Sequence, residues 1–199
     1  MDRHFHSIQH FGSDVYVADY TQYVQEHGCV ERRGVVISES KPEEIGSLKF
    51  NNPNGIDILA VNFEKNESTF RLADGHKVAN CECMLVAETG RPKRWLALAE
   101  LKYCKGEERN IADNFMHALQ QLRDTFLFLR DNLQLFGAGD YRYYWVVSMP
   151  EHSDKVPFSA FVLSQDDLVS YKETYNSIII SDNVVDVWTG SIIKNPIYE

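Results

Sequence analysis

No stretch of the chain approaches the run of roughly 20 apolar residues that a membrane helix requires, so a soluble protein without a membrane partner is expected. The first residues, MDRHFHSIQHFGSD, lack the apolar centre of a secretory signal. Cysteine is sparse, with four residues in 199, and Cys29, Cys81, Cys83 and Cys104 show no paired spacing that would define a disulfide framework. A reduced, cytoplasmic chain follows from that usage. Cys81-Glu-Cys83 could join a histidine around zinc, but C-x-C without a second pair is a weak metal signal. The familiar catalytic signatures are missing as well: G-x-S-x-G, G-x-x-x-x-G-K, H-E-x-x-H and the dinucleotide-binding glycine pattern. His4, His6 and His10 stand in a terminal stretch expected to stay mobile at the surface.

Basic residues are outnumbered, 20 Lys and Arg against 29 Asp and Glu, for a net charge of −9. A protein that grips many phosphates usually carries a basic stripe, and none is visible. Short basic groups occur at Arg32-Arg33, at Arg91, Lys93 and Arg94, and at Arg142. The overall charge suits a basic protein partner, or a homo-oligomer that assembles the positive surfaces.

The most informative stretch runs from Lys77 to Lys102. Two apolar runs, Cys81 to Ala87 and Trp95 to Leu101, flank Thr89-Gly90-Arg91-Pro92-Lys93, which holds the Gly and Pro of a turn. A hairpin centred near Arg91 places Glu82 directly opposite Glu100, and opposed residues share a face. Strand alternation puts Lys102 on that face too. Two facing carboxylates repel unless something offsets them, and a divalent cation does so well. A slip of one residue would undo the arrangement.

A long amphipathic helix is expected over Glu107 to Asp131. Its stripe is Ile111, Phe115, Ala118, Leu122, Phe126 and Leu129, continuing to Leu133, at steps of three and four, with Asn114, Gln121 and Thr125 at its edge. Tyr143 to Met149 reads as a buried strand. An acid on one strand, Glu-Leu-Lys ending the next, and then a helix bearing a glutamine resembles the PD-(D/E)XK, or restriction-endonuclease-like, nuclease superfamily. The resemblance covers roughly residues 56 to 149, and Glu82 stands where that family usually has Asp.

The resemblance implies an α/β fold: a single domain, 1–199, with a central mixed β-sheet flanked by helices. Its nuclease-like core would span about 56–149, preceded by an N-terminal helical segment, 1–50, and followed by a strand-rich extension, 150–199. It also implies a metal-dependent endonuclease acting on DNA, in defence or repair, with Mg²⁺ or Mn²⁺ held by Glu82, Glu100 and the carbonyl of Leu101. Lys102 would orient or deprotonate the attacking water, and Gln121 would position water or phosphate. The family often adds an acid on its first helix, for which Glu39, Glu43 and Glu44 are candidates, although helix capping already accounts for Glu43. Asp57 is a second choice for the first acid. The alternative is a catalytically silent nuclease fold serving as an interaction module.

Elsewhere, Asp14 to His27 is expected as a helix capped by Ser13 and stopped by Gly28, and Gly34 to Ser38 as a short strand. Ser40-Lys41-Pro42-Glu43 suggests a helical turn through Leu48. Asn51 to Gly55 is a turn cluster, and Ile56 to Phe63 the first strand of the sheet. The tail holds FSAFVLS, a capped stretch at Ser164 to Tyr175, SIIIS and VVDVW.

Overall fold

The structure is a computed structural model that describes residues 3–28, 33–103, 108–136, 139–151 and 163–195. Its elements in chain order are β1 (Ile8–Phe11), β2 (Val15–Asp19), α1 (Thr21–His27), β3 (Val35–Ser38), β4 (Leu48–Asn51) and β5 (Ile58–Asn62). After a 3-10 turn at Glu64–Thr69 come β6 (Cys83–Ala87), β7 (Arg94–Leu101), α2 (Glu108–Asp131) and β8 (Tyr141–Ser148). The chain continues through α3 (Gln165–Tyr175), β9 (Ser177–Ser181), β10 (Val184–Thr189) and β11 (Ile192–Lys194).

The result is an α/β fold with two mixed sheets. Among the described residues the larger has six strands in the order β1-β5-β6-β7-β8-β9, and the smaller five in the order β11-β10-β4-β2-β3. β5, β6 and β7 form an antiparallel meander, whereas β8 lies parallel to β7 and β9 parallel to β8. Parallel neighbours need long crossovers, and α2 and α3 supply them. β7, RWLALAEL, is buried along nearly its whole length, as its almost unbroken apolar run demands.

Side-chain alternation divides the core in two. On one face Met84, Val86, Leu96, Leu98 and Trp145 pack under the α2 stripe of Phe115, Leu122, Phe126 and Leu129. On the other face Cys83, Leu85, Trp95, Ala97 and Ala99 meet Val15, Val17, Leu48, Phe50, Val185 and Val187 of the small sheet. Among the described residues the large sheet is therefore flanked by helices on one face only; the small sheet covers the other.

Several sequence expectations are corrected. Asp14 to His27 is not one helix: Val15 and Val17 alternate inward as a strand, and only Thr21–His27 is helical. Ser13 does not cap it; its hydroxyl donates to Glu39 at 2.8 Å. Gly28 does end α1, at φ 84°. No helical turn follows Ser40, and Leu48 opens β4 instead. The 1–50 segment is thus built mainly of strands, β1 to β4, rather than helices. The histidine-bearing N-terminus is anchored: β1 pairs with β5, His4 accepts at its carbonyl from Thr69 Oγ1 (2.6 Å), and His6 N–H donates to Asn66 Oδ1 (2.8 Å).

β3, β6, β7, α2 and β8 form where the sequence places them, within a few residues, and β5 forms within Ile56 to Phe63 but is not the first strand of its sheet, because β1 pairs along its outer edge. Ser164 caps α3 through a box with Asp167. Most of FSAFVLS, like Cys29 and Cys104, lies outside the described residues.

Candidate active site

The hairpin register is the one on which the site depends. Cys83 pairs with Ala99, Met84 with Leu98, Leu85 with Ala97 and Val86 with Leu96, so continuing the ladder sets Glu82 opposite Glu100. Regular pairing stops there. Glu82 N–H donates to the Ala99 carbonyl at 3.1 Å, and the Glu82 carbonyl accepts from Phe63 N–H at 3.0 Å. The bend separates the two cysteines: Cys81 packs on the helix side and Cys83 between the sheets, so they do not share a face. Both thiols are free, and burial pushes each well up from its ordinary range.

Glu100 has no exposed surface, a costly place for a carboxylate. Its Oε1 accepts from Lys102 Nζ at 2.6 Å, and the same ammonium donates to Gln121 Oε1 at 2.5 Å. Gln121 in turn directs its amide towards the Asn80 carbonyl at 3.4 Å. The structure therefore brings Glu100, Lys102 and Gln121 into one chain of contacts, with Glu82 beside it. Behind Gln121, the buried Thr125 hydroxyl accepts from Cys81 N–H (2.8 Å) and donates to the Gln121 carbonyl (2.7 Å), fastening α2 to the approach to β6.

Burial is the main reason both acids hold protons more tightly than usual. Glu100 is pushed up to about 7, with Lys102 pulling it back and Asp19 adding to the rise. Glu82 is also raised well above its ordinary range, by burial first and then by the charges of Glu100 and Asp19.

Asp19 is a functional candidate that sequence reasoning missed. It ends β2 and lines a cleft of about 410 Å³ with Glu82, Leu101, Lys102 and the Thr21, Gln25 and Glu26 face of α1. Its Oδ1 accepts from Thr21 N–H (2.9 Å) and Thr21 Oγ1 (2.6 Å), so it also starts α1. Tyr103, the residue after Lys102, ties this wall to β7: its hydroxyl accepts from Asp19 N–H at 3.1 Å and donates to the Gly46 carbonyl at 2.9 Å. Glu64 joins the adjoining cleft, where Asp19 and Glu82 recur beside Gln121. Its carboxylate accepts from Val35 N–H at 2.7 Å, packed so closely on Gly34 that a methyl there would overlap it. No local pattern marks Asp19 or Glu64, because each reaches the site from a strand end distant in sequence.

The outlying acids fall elsewhere. Glu39 is taken by Ser13, Glu43 is exposed, and Glu44 accepts from Tyr20 OH (3.1 Å) in a neighbouring cleft that holds Asp19 and Tyr103 but neither Glu82 nor Glu100. Asp57 is at the wrong end of the sheet: β5 starts at Ile58 opposite Ala87, whereas the site lies by Asn62 and Cys83. Arg91, Lys93, Arg94 and Arg142 also cluster at that far end, so they do not line this cleft.

A hard divalent cation fits the donor set. Oε2 of Glu100 is buried without a hydrogen-bond partner among the described residues, and Glu82 and Asp19 add negative charge around it beside the Lys102 ammonium. Among the described residues no three His, Cys, Asp or Glu side chains converge closely enough to enclose a metal. Two carboxylates, a carbonyl and retained water match the habit of Mg²⁺ better than a closed protein cage. Comparison with protein-family models, with curated proteins and with solved structures found no match.

Proposed function

We propose that this chain is a metal-dependent phosphodiesterase of the PD-(D/E)XK type, an endonuclease acting on DNA in defence or repair. The observation that carries the reading is the convergence of Glu82, Glu100, Lys102 and Gln121 at one end of the β6–β7 hairpin, with Lys102 bonded to both Glu100 and Gln121.

Glu82, Glu100 and the Leu101 carbonyl would hold Mg²⁺ or Mn²⁺, which when bound polarises the phosphate and makes water more nucleophilic. Lys102 sits where its Nζ can orient the attacking water and neutralise charge developing on the phosphate. Gln121 fixes the ammonium and offers its amide to water or phosphate. Asp19 shapes the opposite wall of the cleft and adds negative charge that favours the cation.

The reading is tested by cleavage of plasmid and single-stranded DNA with Mg²⁺ or Mn²⁺. Activity in the parent that falls at least a hundredfold in both Glu100→Ala and Lys102→Ala is expected. An inactive parent, or activity retained in both variants, refutes it.

One observation favours the second reading, a silent nuclease fold acting as an interaction module. Asp19, Glu26, Glu64 and Glu82 border the clefts, Lys77 there pairs with Glu67 (2.8 Å), and Arg91, Lys93, Arg94 and Arg142 lie at the other end of the sheet, so a polyanion meets repulsion before it reaches Lys102. A module of that kind has no requirement for metal at Glu82 and Glu100.

A further inference from the structure

At the end of the large sheet away from the cleft, the turn between β10 and β11 seats on the β6–β7 loop. The Gly190 carbonyl accepts from Trp95 N–H at 3.1 Å, and Ser191 Oγ donates to the Arg91 carbonyl at 2.8 Å. A methyl at Gly90 or Gly190 would overlap the backbone of the opposing loop, so the two turns can approach this closely only as glycines. The contact brings the strand end bearing Trp188 to the loop bearing Arg91 and Lys93.

Trp188 is 55% exposed, whereas Trp95 and Trp145 have no exposed surface. Val185, Val187 and Ile193 point into the core between the sheets, so alternation turns Trp188, Ile192 and Lys194 to the outer face of the small sheet. Lys194 Nζ stands 3.7 Å from the indole centroid, and the Trp188 carbonyl accepts from Asn54 Nδ2 at 2.9 Å, which holds the strand but leaves the ring accessible.

In a chain of net charge −9, Arg91 and Lys93 stand on the loop that this turn covers and Lys194 beside the indole, whereas Arg94 turns to the helix face over the Tyr141 ring. The nearby acids are Asp186, opposite Lys194 in the ladder and accepting from Asn51 (2.9 Å), Glu88, bonded to His10 (3.1 Å), and the solvent-exposed Asp57 and Asp140, so the positive charge stands unopposed only on the loop of Arg91 and Lys93.

We infer that Trp188, with Arg91, Lys93 and Lys194, forms a docking surface for single-stranded nucleic acid, the indole stacking on an unpaired base and the cations holding the flanking phosphates. Charge complementarity selects an anionic ligand, and an exposed indole set among cations selects one that also presents flat aromatic faces. A paired duplex offers the indole no unstacked base. The length of β7 separates this surface from the cleft by about 25 Å, so it is a second site rather than a rim of the first. The inference goes beyond the proposed chemistry and is tested without it.

The test is a pair of titrations of the full chain with an oligothymidylate of about ten nucleotides, in EDTA so that no cleavage intervenes: tryptophan fluorescence for the parent, and anisotropy of the fluorescein-labelled oligonucleotide for parent and variants alike. The oligonucleotide is expected to quench Trp188 and shield it from acrylamide. Trp188→Tyr, which keeps an aromatic face, should retain the affinity, whereas Trp188→Ala and the surface change Lys194→Glu each weaken it about tenfold. No quenching, undiminished binding in Trp188→Ala, or equal shielding by heparin or polyglutamate would overturn the inference, the last assigning the surface to polyanions or acidic protein instead. Quenching with no metal-dependent cleavage would remove only the catalytic proposal, and cleavage without quenching only this one.

Discussion

The Lys102 ammonium lies 2.6 Å from Oε1 of Glu100, a carboxylate with no exposed surface, and the Lys102 side chain is itself only 21% exposed. Removing one member of such a pair leaves the other charge buried and uncompensated. Lys102→Ala should therefore destabilise the fold by about 3 kcal/mol at pH 8. At pH 5 the loss should be much smaller, because Glu100 is then protonated. Urea unfolding at the two pH values checks this; an equal loss at both would contradict it.

Glu100 gives a second expectation, whose sign follows from a raised acid. Its carboxyl titrates near 7 in the fold and near 4.5 when unfolded, so the folded chain holds the extra proton between those values. The stability from that proton is complete below pH 4.5 and is lost as the pH rises through 7. Glu82, shifted in the same direction, adds to the decline. Metal-free Glu100→Gln should lose less stability between pH 5 and 8, the difference being on the order of 3 kcal/mol, and Glu82→Gln combined with it should flatten the profile further. Thermal unfolding in EDTA across that range would contradict the account if parent and variants fell in parallel.

The buried hydroxyl of Thr125 carries a third. Thr125→Val keeps the shape but leaves Cys81 N–H without its 2.8 Å acceptor, at a cost of about 1–3 kcal/mol. Hydrogen exchange at the Cys81 amide should quicken beyond that of its β6 neighbours. Unchanged protection there would mean that the bond does not fasten α2 to the hairpin.

How much of this was legible in the sequence differs by range of contact. The hairpin register could be read because Gly90 and Pro92 mark the loop and apolar runs bound it on both sides. The stripe on α2, repeated over several turns, is the kind of pattern that survives in any environment. Val15 and Val17, by contrast, show a period of two for too few residues before Tyr20 and Tyr23 continue into α1, so strand and helix merge into one apparent element. The small sheet was invisible because its centre is a parallel pairing of Val184–Asp186 with Lys49–Asn51, far apart in sequence and with no local mark. Asp19 reaches the site through that same long-range assembly, and Glu64 follows β5 of the large sheet and is fixed by its bond to Val35 of β3. Lys102 and Gln121 were legible because the hairpin end and the following helix are adjacent in sequence.

The central claim is that Glu82 and Glu100 together form one cation site, and calorimetric titration with Mn²⁺ at pH 8 tests it most directly. The account predicts a single ion bound per chain, with affinity falling at least tenfold in Glu82→Gln and in Glu100→Gln, both of which should stay folded. No heat of binding in the parent, or binding that survives both substitutions unchanged, would contradict it.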